Sequence, residues 1–271
     1  MADDRSRPHA EHPRAAVQER PVIFAAFADV HGNSAALDAV LADITRRGIN
    51  DIVNLGDSLS GPLDPGGTAE RLMDLGLPTV RGNHDRALEE TDPARIGLWE
   101  RWTLPEITEA QRGWAASLPE RLTHGEALLC HATPGDDATN WLDERGEDRR
   151  MHFRPRHAIE RLAAGETAPL MLCGHTHVPR MVRLGSGSVV VNPGSVGCPS
   201  YLDDREATPF IAETGAPDAR YAICEKADGQ WTVSLVSVAY DAQRMVDLAL
   251  AKGADSWAEA LTTGWFTAGP A

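Results

Sequence analysis

Short aliphatic runs alternate along the chain with stretches of helical spacing, and the joins between them are polar. Residues 22–30, VIFAAFADV, are apolar almost throughout, the pattern of a strand covered on both faces. In the NSAALDAVLADITRRG that follows, Leu37, Val40, Leu41 and Ile44 fall on one helical face, with Ser34 a candidate N-cap and Gly48 a candidate stop. DVHGN lies at the join. INDIVNLGDSLSGP repeats the arrangement, ending a run of Ile52, Val53 and Leu55 on Gly56 and Asp57; TAERLMDLG then reads as a helix. LPTVRGNHDRALEE predicts another brief strand before GNHD.

Further along, GEALLCHATP ends an apolar run on His131, and PLMLCGHTHVPR ends one on His175 and His177. SVVVNPGSVG and RYAICEKADGQWTVSLVSVAY predict strands in hairpins or a meander. Trp99, Trp102 and Trp114 mark a helical insertion near 86–120, and the charge-rich 136–160 reads as loop and helix. AQRMVDLALAKGADSWAEALTTGW predicts two C-terminal helices broken at Gly253. Residues 1–20 are polar and proline-containing, so they read as a disordered tail and not a signal peptide, and residues 21–271 as a single domain.

Composition narrows the function classes. With 42% hydrophobic and 24% charged residues in 271, the chain is an ordinary globular sequence, and no apolar run approaches the roughly 20 residues of a membrane span. The formal net charge of -14 argues against nucleic acid as a partner, because polyanion binding relies on a basic stripe. An anionic substrate then needs local positive charge, which bound metal ions supply. Cys130, Cys173, Cys198 and Cys224 show no CxxC spacing and read as buried reduced thiols, which suits a cytoplasmic protein; Cys130 reads as a strand residue and not a nucleophile.

The polar residues at the strand ends are Asp29, His31, Asp57, Asn83, His84, His131, His175 and His177. Loops at the carboxyl ends of strands in an open sheet converge on one edge, so residues scattered in sequence can meet there. Two Asp, four His and one Asn suit two divalent ions of borderline hardness, manganese first, with iron, zinc, nickel or cobalt as alternatives. Taken singly, each motif has an ordinary reading as a helix cap, a turn or a surface group. The His-x-His of GHTH adds a constraint, since alternate strand residues point to opposite faces and both can meet only where a strand gives way to a loop.

The ordered set DVHGN, GDSLSGP, GNHD, CHATP and GHTH, with NPGSVG at 192–197, resembles the calcineurin-like metallophosphoesterase superfamily, and more closely its small bacterial members, over roughly residues 22–240. The resemblance implies an α/β fold, a four-layer α/β/β/α sandwich with a dimetal centre at one edge. It assigns Asp29, His31 and His177 to one ion, Asn83, His131 and His175 to the other, Asp57 to the bridge, and His84 to catalysis beside the leaving oxygen. Asn33, Arg81 and Arg86 are candidate substrate contacts, Asn33 being equally a helix cap.

Protein-phosphatase-like relatives carry GDxxDRG, whose second aspartate supports the catalytic histidine; here Ser60 and Gly61 occupy the Asp and Arg positions. That departure leaves Asp64 and Asp85 as candidate supports for His84. The expected activity is hydrolysis of a small phosphodiester, with a phosphomonoesterase or dinucleoside polyphosphate hydrolase as alternatives. A catalytically silent metal-binding scaffold is the alternative of another class. Retention of seven ligand positions and His84 favours the enzyme. The expected partner is a small phosphate ester, with no membrane contact and the oligomeric state left open.

Overall fold

Side-chain alternation along the buried strands sets the architecture, because a strand apolar at every position must bury both faces. The computed structural model describes residues 22–203 and 209–267, so the tail expected at 1–20 lies outside the described residues. The first half runs β1 (Val22–Phe27), α1 (Ser34–Arg46), β2 (Ile52–Asn54), α2 (Pro65–Leu75), α3 (Asn83–Ala87), α4 (Leu98–Thr103), a 3₁₀ turn, α5 (Glu109–Ser117), β3 (Arg121–His124) and β4 (Ala127–Cys130). The second runs β5 (Asp143–Arg145), β6 (Met151–Phe153), α6 (Arg156–Leu162), β7 (Leu170–Leu172), β8 (Arg180–Arg183), β9 (Val189–Asn192), β10 (Ser200–Asp203), β11 (Phe210–Glu213), β12 (Ala219–Ala227), β13 (Gln230–Val238), α7 (Gln243–Ala251) and α8 (Asp255–Thr263).

Two main sheets result, in the orders β13-β12-β1-β2 and β3-β4-β7-β9-β8, with β5-β6 and β10-β11 as separate pairs. β1 and β2 are parallel, as are β4 with β7 and β7 with β9. Phe24, Ala26 and Ala28 meet Leu129, Leu172 and Val191 between the sheets. The intervening Ala25 and Phe27 face Leu37, Val40 and Ile44 of α1. On the far side, Leu128, Met171 and Val190 pack against Ile159 of α6. Helix, sheet, sheet and helix therefore stack as four layers, the sandwich that the motifs imply.

Several local expectations shift. Asn33, not Ser34, caps α1, its Oδ1 accepting from Ala36 N at 3.0 Å. α2 starts earlier than the TAERLMDLG pattern, because Asp64 caps it and Pro65 occupies the first turn, where a missing N–H costs nothing. The brief strand expected before GNHD is reduced to one bridge, Asn54 to Thr79. Within 136–160, β5 and β6 form a hairpin ahead of α6, which charged strand residues concealed from a hydrophobicity pattern.

The C-terminal helices close the core. Met245, Ala249, Trp257 and Leu261 pack on Leu63 and Cys198, one loop away from the polar strand ends. Among the described residues no helix is long and apolar enough to cross a membrane. All four cysteines are buried and unbonded, as expected.

Gly197 sits where the NPGSVG loop crosses the end of β1, its N–H donating to Asp29 O at 3.0 Å. A Cβ there would overlap the Val30 carbonyl oxygen and lie 2.7 Å from Asn33 Cβ. Gly197→Ala is expected to cost about 2 kcal/mol of stability, the scale of an overpacked core, read as a lower urea midpoint with unchanged slope.

Candidate metal centre

The polar clusters leave β1, β2, β4 and β7 at their carboxyl ends and the first turn of α3, all on one edge of the sandwich. Backbone bonds lock the loops together before any side chain is considered. Asp29 N donates to Gly56 O at 2.9 Å, His31 N to Asp57 O at 3.1 Å, and Gly174 N to His131 O at 2.7 Å. Asp29, His31, Asp57, His175 and His177 all hold positive φ, between 50° and 71°. Non-glycine residues seldom adopt that region, and their concentration here marks strain held by the surrounding structure. In GHTH it breaks the strand's alternation, so His175 and His177 both turn inward.

Two groups of side chains converge. Asp29, His31 and His177 form one, and Asp57, His131 and His175 the other, with the ligand atoms of each group within 4.8 Å of one another. Asn83 Oδ1 lies 2.9 Å from His175 Nδ1, which brings Asn83 to the second group. Asp57 stands between the groups, its Oδ2 3.2 Å from His131 Nε2 and 3.9 Å from His31 Nε2. The approach of the GNHD loop requires Gly82, because a Cβ at that position would occupy the Asp57 carboxylate. Asp85 fastens the same junction from behind, accepting from Asp57 N at 2.8 Å, Gly82 N at 3.0 Å and Ser58 N at 3.0 Å.

Three imidazoles are aimed by the backbone. The Nδ1 atoms of His31, His131 and His177 donate to the carbonyls of Ser60, Leu55 and Cys198 at 2.8, 2.7 and 2.7 Å, turning each Nε2 toward the centre. A second partner of this kind fixes the tautomer of a metal-binding histidine. Burial lowers the pKa of His31 to about 4 and holds His177 well below its usual range, so both present the neutral form a metal needs. Burial likewise pushes the Asp29 carboxyl up, toward neutrality in the absence of a cation.

Burial works against the charge of Asp57 and of His131 too, but their mutual attraction prevails. Asp57 is held well below the carboxylate range, chiefly by His131, and His131 is raised to about 10, chiefly by Asp57. His131 Nε2 nevertheless makes no hydrogen bond: at 3.2 Å the pair attract as charges without the required alignment. An orphaned buried nitrogen aimed at two carboxylates, within a mixed nitrogen and oxygen set, fits a site for divalent ions.

His84 lies at the rim. Its backbone N–H donates to Asp57 Oδ1 at 2.8 Å, its Nδ1 is 2.6 Å from Glu100 Oε1, and its ring stacks on Trp99 at 4.7 Å and 15°. Glu100, only 3% exposed on α4, is thus the support that the sequence did not reveal. Burial alone would raise its pKa, but the bond to His84 lowers it, favouring the carboxylate. Neither expected support serves: Asp64 caps α2 and binds Ser34 and Arg244, while Asp85 is committed to backbone N–H groups.

The expected substrate contacts separate. Arg86 lines the cleft beside His84 and pairs with Asp137 at 2.6 Å. Arg81 instead pairs with Glu120 at 3.1 Å and Glu89 at 3.6 Å, away from the cleft lining. Asn33 is corrected to a structural cap: it is fully buried, and its amide donates to Gly197 O at 3.1 Å and Tyr240 Oη at 2.9 Å, leaving nothing to offer substrate.

The similarity to known proteins follows the same geometry. A metallophosphoesterase of Sphaerobacter thermophilus matches with TM-score 0.69 and 27% identity, over 91% of this chain and all of that one (100%). A hypothetical protein of Pyrococcus horikoshii shares the fold at TM-score 0.67 and 16% identity, covering 90% of this chain and 99% of its own. An uncharacterized protein of Methanocaldococcus jannaschii is 26% identical over 252 residues, 87% of this chain and 95% of that protein. With the profile of the calcineurin-like phosphoesterase superfamily domain matching residues 23–215, the chain belongs to that superfamily.

Proposed function

We propose that the chain hydrolyses a small phosphodiester with the help of two divalent ions, manganese being the first to test. The observation that carries this reading is the pair of ligand groups on one sheet edge with Asp57 between them and His84 beside them. Asp29, His31 and His177 would hold one ion, and Asn83, His131 and His175 the other, with Asp57 shared. Bound divalent ions supply the positive charge that offsets phosphoryl oxygens and lowers the pKa of a water.

The chain's own residues do the rest. With Nδ1 engaged by Glu100, proton transfer to a leaving oxygen falls to His84 Nε2. The Glu100 carboxylate stabilises the protonated imidazole, and the Trp99 stack prevents the ring from turning. A diester suits the cleft better than a dianionic monoester, because the rim cations Arg86 and Arg95 are already paired with Asp137 and Glu90. A silent scaffold would have no use for a buried glutamate holding His84 at the rim.

His84→Ala is expected to lower turnover of bis-p-nitrophenyl phosphate by roughly 10² or more while leaving metal content intact. Glu100→Ala should lower kcat by about tenfold to a hundredfold with little change in KM, and Glu100→Asp should recover part of the loss; unchanged kcat in both would remove the pair from the mechanism.

Metal binding gives an independent check. In the metal-free protein His131 is charged at pH 7, since its raised pKa of about 10 lies above ambient pH. Coordination needs the neutral ring and an ionised Asp29, so manganese should release the His131 proton together with any that Asp29 holds at pH 7, and bind more weakly as pH falls. Calorimetry in buffers of different ionisation enthalpy reads this directly. Manganese at a hundred times its Kd should also stabilise the fold by about 2.7 kcal/mol, seen as a rise in Tm that chelator reverses.

A further inference from the structure

The cleft that opens beside His84 has a volume of about 470 Å³, within the roughly 300–1,000 Å³ usual for small-molecule sites. α4 supplies one wall through Leu98, Trp99 and Trp102, and Tyr201 of β10, Trp257 of α8 and Phe266 supply the other. Trp99 is the hinge of this aromatic cage: it stacks on His84, meets Trp257 edge-on at 4.9 Å and 72°, and meets Tyr201 edge-on at 6.3 Å and 85°. Leu98 is 57% exposed at the mouth and Trp102 is half-buried, so apolar surface is held open to solvent next to a charged centre. A phosphate alone makes no use of such walls, whereas a concave cleft with apolar walls and a few polar groups suits a small organic ligand.

We propose that this cleft seats the leaving group of the ester and selects a nucleoside, a flat aromatic ring on an uncharged sugar. The proposal rests on the reading above, in which His84 serves the leaving oxygen, and it names the class of group attached there. Aromatic side chains bind a base through its π-face, whatever the base, and offer little to a second phosphate or a sugar phosphate. A hydrocarbon chain would also enter an apolar cleft, but Ser200 and Ser256 stand in the same lining. Serine and the carboxylate residue Asp203 in the lining suit the polar edge of a base and offer nothing to an alkyl chain. The cations of the lining, Arg86 and Arg95, are each paired with a carboxylate, so the cleft is not built to draw in a polyanion.

The test compares two ligands that differ only in the base. Adenosine 5′-monophosphate and ribose 5-phosphate are titrated calorimetrically into the manganese-loaded protein and into its Trp102→Ala variant. The nucleotide should bind about tenfold more tightly or better to the unmodified protein, the scale of one aromatic stacking partner, and Trp102→Ala should narrow that gap. Equal affinities, binding of neither, or a gap that Trp102→Ala leaves unchanged would each overturn the proposal. Leu98→Ala, at an exposed position, takes the same role if Trp102→Ala fails to fold. Hydrolysis of bis-p-nitrophenyl phosphate is measured on the same samples, so that a chain that hydrolyses the diester without discriminating the base refutes the nucleoside and leaves the phosphoesterase standing.

Discussion

Two carboxylates and four imidazoles share one edge of the sandwich, four of the six almost wholly out of water together with His177 at 3% exposure. Burying such a cluster is costly unless a cation compensates it, and much of the surrounding structure makes sense as what that crowding requires. The five candidate ligands at positive φ, the backbone carbonyls that fix three rings, and the missing side chain at Gly82 all shorten distances between strand ends. The positive-φ backbone costs local stability, and the apolar layers on either side of both sheets offset it. A rigid scaffold with a strained edge is the usual relation between a fold and its site.

α4 has two roles in this arrangement. Its Glu100 points inward to His84, while Leu98, Trp99 and Trp102 form a wall of the cleft. Trp99 touches both, since it stacks on the histidine and meets Trp257 of the closing helix. Trp99 therefore places a wall of the cleft in direct contact with His84. α7 and α8, which follow β13 of the first sheet, cover Leu63 and Cys198 and deliver Trp257 to the far wall.

The carboxylate beside His84 comes from a different place in the chain than the protein-phosphatase-like motif would give it. Position 60, where protein-phosphatase-like relatives place an aspartate, is here a serine whose hydroxyl donates to His84 O at 3.3 Å, and the carboxylate comes from a helix sixteen residues after the histidine. The inserted segment therefore supplies both the support of His84 and a wall of the cleft.

Much of this was legible in the residues themselves. Aliphatic runs buried on both faces predicted β1, β2, β4, β7 and β9, and polar residues at the ends of β1, β2, β4 and β7 named six of the seven candidate ligands, while Asn83 and His84 were found through GNHD although the strand expected before it is a single bridge. Two of the three expected substrate contacts were not resolved by the same reading. Asn33 and Arg81 carry the right groups, yet whether an amide caps a helix or an arginine meets Glu120 depends on neighbours up to two hundred residues away, as Tyr240 is from Asn33. Glu100 was illegible for that reason: nothing local distinguishes a glutamate between two tryptophans from a solvated one. Strand-end chemistry is encoded by short-range periodicity and so was determined by the sequence alone, whereas the partner of each polar side chain was decided by long-range packing, which only the tertiary structure specifies.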